Sequence, residues 1–139
     1  MESLDPGKKT VNSLCRILVA EDNPINLKMT TFYLDSLKIA YDSVGNGLEV
    51  LKALERQSYA LILMDCLMPE LDGYETTDRI RQHRDPAVRE IPIIGVTSQG
   101  LNNDASRCLD AGMNDCLSKP LRLVALESNL KKWLPALKA

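Results

Sequence analysis

The sequence predicts an α/β fold, a parallel sheet of five strands with helices on both faces. Two observations carry this. First, short apolar runs at 15–20, 39–44, 60–65, 92–96 and 115–118 alternate with stretches of helical periodicity. Alternation at that spacing argues for βαβ units, and right-handed crossovers put the helices on both faces. Second, the run Ala60–Met64 ends abruptly in a carboxylate, Asp65, and Pro69 and Gly73 stop and turn the chain just beyond it. A short apolar run bounded by breakers marks a strand buried on both sides. Asp65 then lies at the carboxyl edge of the sheet, where open α/β sheets place their ligand crevices.

The elements follow in order. Residues 1–14 are polar, with Pro6, Gly7 and two lysines, and are read as a linker or tail; residues 15–139 are read as one domain. The first strand covers 15–20. Glu21-Asp22-Asn23 makes an acidic turn, and Pro24 suits the first turn of a helix reaching about Leu37, with Ile25, Met29, Phe32 and Tyr33 as its apolar face. A second strand at 39–44 leads through Gly45-Asn46-Gly47 to a helix marked by Leu48, Leu51 and Leu54. After the third strand, Asp72 is a plausible N-cap for a helix over about 73–83. A polar loop, Arg84 to Glu90, is expected to be mobile. The fourth strand, 92–96, closes on Thr97 and Ser98. A helix at about 102–111 is capped by Gly112. A short fifth strand, Asp115 to Ser118, runs into Lys119-Pro120. The last helix carries Leu123, Leu126, Leu130, Trp133 and Leu137 as a packing stripe.

Composition narrows the function. With 139 residues, 45% apolar and 26% charged, this is an ordinary globular chain long enough for a real core. A net charge of −2 gives no footprint for nucleic acid. No apolar run approaches the roughly 20 residues that span a bilayer, and the first residues lack the apolar core of a signal peptide. A cytoplasmic location is expected, with no direct membrane contact. The four cysteines, Cys15, Cys66, Cys108 and Cys116, show no paired metal-ligand spacing. They read as reduced, mostly buried thiols.

Four sets of polar residues collect at the carboxyl edge: Glu21 and Asp22, Asp65, Thr97 and Ser98, and Lys119. Each has a plain reading alone. Acidic residues suit a helix start, an aspartate or threonine suits a turn, and a lysine suits a surface. Together, each at the end of a different apolar run, they point to chemistry. Carboxylates drawn together need protonation or a cation, and oxygen ligands completed by water suit Mg²⁺. Asp65 could then act as a nucleophile and form an aspartyl phosphate. Lys119 would supply a second positive charge and Thr97 a hydroxyl donor.

The stretches Arg16-Ile-Leu-Val-Ala-Glu-Asp-Asn-Pro-Ile-Asn26, Leu63-Met-Asp-Cys-Leu-Met-Pro-Glu-Leu-Asp-Gly73, Ile93-Ile-Gly-Val-Thr-Ser98 and Ala111-Gly-Met-Asn-Asp-Cys-Leu-Ser-Lys-Pro120 resemble the receiver domain of two-component response regulators. The Glu-Asp-Asn-Pro-Ile-Asn form is most similar to receivers of hybrid sensor histidine kinases. The resemblance implies a flavodoxin-like doubly wound (βα)5 fold with strand order 2-1-3-4-5. It implies that Asp65 accepts a phosphoryl group from a phosphohistidine on a histidine kinase or phosphotransfer domain. Glu21, Asp22, Asp65 and the backbone carbonyl of Leu67 would hold Mg²⁺, Thr97 would contact the phosphoryl group, and Lys119 would pair with it. A cis Lys119–Pro120 bond is implied as well. Phosphorylation would bias a surface around the fourth and fifth strands and the helix at 102–111, read by an output domain or protein. Slow self-dephosphorylation is expected, but not a dedicated enzyme.

The chain departs from the family at Cys116, where an aromatic residue is usual, so the aromatic readout is not expected here. Ser98 stands where the family often has alanine. Cys66 should face away from Asp65. The alternative reading is a degenerate receiver that binds proteins without phosphorylation. A flavin protein of this topology would want a phosphate-cradling loop in place of Glu21-Asp22-Asn23. A haloacid dehalogenase-like phosphatase would want an aspartate where Leu67 stands. The kinase, the stimulus, the output and a homodimer through the last elements are left open.

Overall fold

The computed structural model describes residues 16–97 and 102–134. The expected linker at 1–14, Cys15, Ser98 and Leu137 lie outside the described residues. In chain order the elements are β1 (Ile17–Ala20), α1 (Pro24–Ser36), β2 (Tyr41–Val44), α2 (Gly47–Arg56), β3 (Leu61–Asp65), α3 (Gly73–Arg81), α4 (Pro86–Arg89), β4 (Ile93–Thr97), α5 (Asn102–Ala111), β5 (Asp115–Ser118) and α6 (Leu123–Trp133). The strands form one parallel sheet in the order β2-β1-β3-β4-β5, as expected.

The sheet divides the core into two layers because successive strand residues point to opposite faces. Leu18, Ala20, Ile62, Met64 and Ile93 pack with Val50, Ala53, Ile80 and Cys108, so α2, α3 and α5 cover one face. Ile17, Val19, Leu61, Leu63 and Ile94 pack with Leu34, Leu126 and Leu130, so α1 and α6 cover the other. Every residue of β1, β3 and β4 is buried, which is why those runs read as continuously apolar.

Local chemistry sets the helix ends. Asn23 Oδ1 accepts from the N–H groups of Ile25 (2.9 Å) and Asn26 (3.1 Å), with Pro24 at the first helical position of α1. Asn46 and Asp72 cap α2 and α3 through the N–H groups of Glu49 and Glu75. Gly112, at φ 109°, ends α5 in a conformation that disfavours other residues.

Three expectations are corrected. In α1 the buried residues are Thr30 and Leu34, with Leu27 and Tyr33 packed beside them, whereas Ile25 is 74% exposed and Phe32 65%. The buried stripe contains a threonine, which masks its apolar period. In α2 Leu48 is exposed, and Val50, Ala53 and Leu54 face the core. Residues 84–90 are not irregular throughout: Asp85 Oδ1 accepts from the Ala87 N–H at 3.0 Å, and Pro86 opens the single turn of α4.

At the amino edge of the sheet, Asp42 ties three strands together. Arg16 Nη1 donates to Asp42 Oδ1 at 2.8 Å, and Tyr59, just before β3, donates its hydroxyl to Asp42 Oδ2 at 2.6 Å. Burial, then the hydrogen bond and charge of Asp42, push Tyr59 up to about 12 from an ordinary 10. The fold favours the neutral phenol, so this stabilisation is complete below pH 10 and is lost as pH rises through about 12. In an alkaline titration of phenolate absorbance, Tyr59 should give a late component near pH 12. That late component should vanish in Tyr59→Phe and move down in Asp42→Asn. An unchanged titration in both variants would refute the assignment.

Candidate functional site

Register alone brings the chemistry together. Ala20 pairs with Met64, Asp65 with Val96 and Thr97 with Ser118, so β1, β3, β4 and β5 end side by side. Glu21 and Asp22 follow β1, Asp65 ends β3, Thr97 ends β4, and Lys119 follows β5.

The side chains converge as expected. Lys119 Nζ lies 3.1 Å from Asp65 Oδ2 and 3.3 Å from Glu21 Oε1. Carboxylate oxygens of Glu21, Asp22 and Asp65 lie within 4.8 Å of one another, with Glu21 and Asp65 buried and Asp22 exposed. The Leu67 N–H donates to Asp65 Oδ1 at 3.2 Å, so the Leu67 backbone lies against the Asp65 carboxylate. Thr97 is buried at the neighbouring strand end, its carbonyl accepting from the Lys119 N–H at 2.6 Å. The Lys119–Pro120 peptide is cis. Cys66 packs into the core layer of Ile62 and Met64, on the side of the sheet opposite Asp65.

Glycine 73 sets the loop geometry behind Asp65. Its N–H donates to the Cys66 carbonyl at 2.9 Å, and a Cβ there would press into the Asp65 carbonyl oxygen and come within 2.9 Å of Cys66 Cα. The start of α3 therefore approaches the end of β3 more closely than any side chain allows.

Electrostatics describe a cluster short of positive charge. Burial raises Glu21, its hydrogen bond to Asp65 and the Asp65 charge add to the rise, and the Asn23 N–H and Lys119 oppose it. Burial pulls Lys119 down, but Asp65 and then Glu21 outweigh it and hold the ammonium above its ordinary value. Three carboxylates with one lysine among them leave an excess of negative charge. All-oxygen donors with that excess suit a hard divalent cation such as Mg²⁺.

Sequence reasoning missed three contributors. Asn23 serves the site as well as the helix, because its N–H donates to Glu21 Oε2 at 3.1 Å. Asn26 and Thr30 of α1 line a cavity of about 20 Å³ beside Glu21, Asp65 and Lys119, room for a single water. The cap chemistry of Asn23 before Pro24 was a signal for the first; Asn26 closes the quoted Glu-Asp-Asn-Pro-Ile-Asn stretch, and nothing in the pattern marked Thr30. His83 pairs its Nε2 with Glu55 Oε2 at 2.7 Å and accepts at Nδ1 from the Asp85 N–H, far from this edge. Among the described residues, no helix is long and apolar enough to cross a membrane.

Comparison with known proteins agrees with this geometry. The family model for the response regulator receiver domain matches residues 17–131. The chain is 39% identical over 114 residues to the sensor histidine kinase RcsC of Salmonella typhi, covering 82% of this chain and 12% of that protein. It is 40% identical over 120 residues to the hybrid signal transduction protein dokA of Dictyostelium discoideum, covering 85% of this chain and 7% of that one. The chain thus spans a small fraction of the curated relatives it matches. Among solved structures, the receiver domain of sensor histidine kinase PA1611 from Pseudomonas aeruginosa, with magnesium coordinated in its active site cleft, is 41% identical at a TM-score of 0.79, covering 86% of this chain and 97% of that one. The receiver domain of Saccharomyces cerevisiae Ssk1, in complex with the histidine phosphotransfer protein Ypd1, is 29% identical at a TM-score of 0.78, covering 86% and 88%. Five parallel strands in the order 2-1-3-4-5, the acidic edge and these matches make this chain a member of the response regulator receiver domain family of two-component systems.

Proposed function

We propose that this chain is a Mg²⁺-dependent phosphoacceptor in a phosphorelay, with Asp65 as the residue phosphorylated. The observation that carries the reading is the juxtaposition of three carboxylates with Lys119 Nζ, 3.1 Å from Asp65 Oδ2, at the open edge of the sheet. The donor is a phosphohistidine on a histidine kinase or a histidine phosphotransfer domain. An Asp65 carboxylate oxygen forms the new bond to phosphorus, the phosphorus–nitrogen bond to imidazole breaks, and the imidazole keeps the electron pair and takes up a proton. Lys119 neutralises charge on the transferred group, and the Thr97 hydroxyl donates to one of its oxygens.

Glu21, Asp22, Asp65 and the Leu67 carbonyl are the groups that would hold Mg²⁺. When bound, the ion supplies the positive charge this acidic cluster lacks and lowers the cost of bringing in an anionic phosphoryl group. The receiver unit is assigned to 15–139 and the linker to 1–14, in a cytoplasmic setting. Part of a hybrid histidine kinase fits the relatives' names. The phosphorylated state biases contacts around β4, β5 and α5, with Cys116 in place of an aromatic reporter.

The test is the intact mass of the chain after incubation with a small phosphoryl donor, with and without Mg²⁺. A single phosphoryl adduct that forms with Mg²⁺ and is lost on chelation is the expected result. No adduct from the small donor or from a phosphorylated histidine partner would overturn the reading in favour of a receiver that binds without phosphorylation.

A further inference from the structure

On the sheet face opposite the carboxylates, three cysteines far apart in sequence meet. Cys66 follows β3, Cys108 lies on α5 and Cys116 lies in β5. Cys108 Sγ sits 3.0 Å from Cys116 Sγ and 3.7 Å from Cys66 Sγ. Gly95 of β4, paired with Cys116 across the sheet, leaves the space they occupy. A Cβ on Gly95 would stand 2.5 Å from Met113 Sδ, 3.1 Å from Cys108 Sγ and 3.3 Å from Cys66 Sγ. Four sulfur atoms therefore share one pocket of the core, and no step proposed for Asp65 uses them.

We propose that Cys108 and Cys116 are a redox-modification site that closes to a reversible disulfide, with a small peroxide as the oxidant. Their sulfurs stand about 1 Å beyond the bonded distance of roughly 2.05 Å. Cys66 and Cys108 are buried, whereas Cys116 is partly exposed and meets the oxidant first. The Cys116 sulfur attacks one peroxide oxygen; the O–O bond breaks, and the thiol proton leaves with the second oxygen as water. Cys116 is then a sulfenic acid. The Cys108 sulfur attacks the Cys116 sulfur, the S–O bond breaks, and the departing hydroxyl takes the Cys108 proton as a second water. Two thiols have lost two electrons and two protons to one peroxide. The new bond ties the last turn of α5 to β5.

The closing experiment treats the full chain with equimolar hydrogen peroxide, alkylates it in denaturant, and reads intact mass and linked peptides. The wild type should fall from four alkylatable thiols to two, the chain having four cysteines. The linked peptide should join Cys108 to Cys116, and reductant should restore all four thiols. Cys66→Ser should form the same link. Cys116→Ser, altered at the partly exposed position and therefore expected to keep the fold, should lose no thiol. Four thiols retained in the wild type, a link through Cys15 or Cys66, a link between two chains, or overoxidation of Cys116 without a link would each overturn the proposal. None of these readouts depends on phosphorylation.

Discussion

Asp65→Asn is expected to reduce phosphoryl incorporation by about 10⁴-fold or more, to below detection by intact mass, while the fold survives. The loss follows from chemistry rather than shape. An amide oxygen is a poor nucleophile and carries no charge, so both the acceptor and part of the acidic cluster disappear together. Shape is kept because each partner of Asp65 has somewhere to go. The Leu67 N–H, 3.2 Å from Oδ1, can still donate to an amide oxygen. Lys119, 3.3 Å from Glu21 Oε1, keeps one carboxylate. The repulsion between Asp65 and Glu21, which helps raise Glu21, is removed and offsets the lost ion pair. Urea unfolding should therefore give a stability within about 1 kcal/mol of the wild type. Mg²⁺-dependent labelling of the variant at the same edge would refute the acceptor assignment. Loss of labelling with a loss of several kcal/mol of stability would show that Asp65 acts on the fold.

The site was legible because its residues sit where strands end, and these strands announce themselves. The runs at 17–20, 61–65 and 93–97 are buried on both faces and so lack polar interruptions. Once their ends were located, parallel topology alone placed Glu21, Asp65, Thr97 and Lys119 on one edge. The helices were less legible. Thr30 takes a buried place on α1 while Ile25 and Phe32 face outward, so the apolar period points to the wrong side. The turn of α4 is too short to show a period at all. The meeting of Cys66, Cys108 and Cys116 depends on strand parity, on the pairing of β4 with β5 and on the absent side chain of Gly95. No local pattern carries those three facts together.

Arg81→Ala is the second large effect expected, and it falls on stability. In the sequence Arg81 is one of several basic residues near a helix end. In the fold its guanidinium joins three segments: Nε donates to the Gly112 carbonyl at 2.9 Å, Nη1 to the carbonyls of Arg89 at 2.8 Å and Ile91 at 2.7 Å, and Nη2 to Asn114 Oδ1 at 2.8 Å. Asn114 Oδ1 also accepts from the Ile93 N–H at 2.8 Å, so the network reaches the first residue of β4. Burial lowers Arg81 and the Glu90 charge opposes this, but a guanidinium stays protonated at neutral pH. Removing it leaves three carbonyls and one amide oxygen without that donor. With part of the gap rehydrated, the cost should be about 3–5 kcal/mol, read as a lower urea midpoint at unchanged slope. Arg81→Lys should recover only part of this, because a single ammonium cannot match a planar fork aimed at four oxygens. A loss under about 1 kcal/mol in Arg81→Ala would mean that water replaces the guanidinium cheaply. Since Arg81 lies on α3, away from the Asp65 edge, the folded fraction of the alanine variant should still take up a phosphoryl group. That separates a residue that holds the sheet's flank from those proposed to do its chemistry.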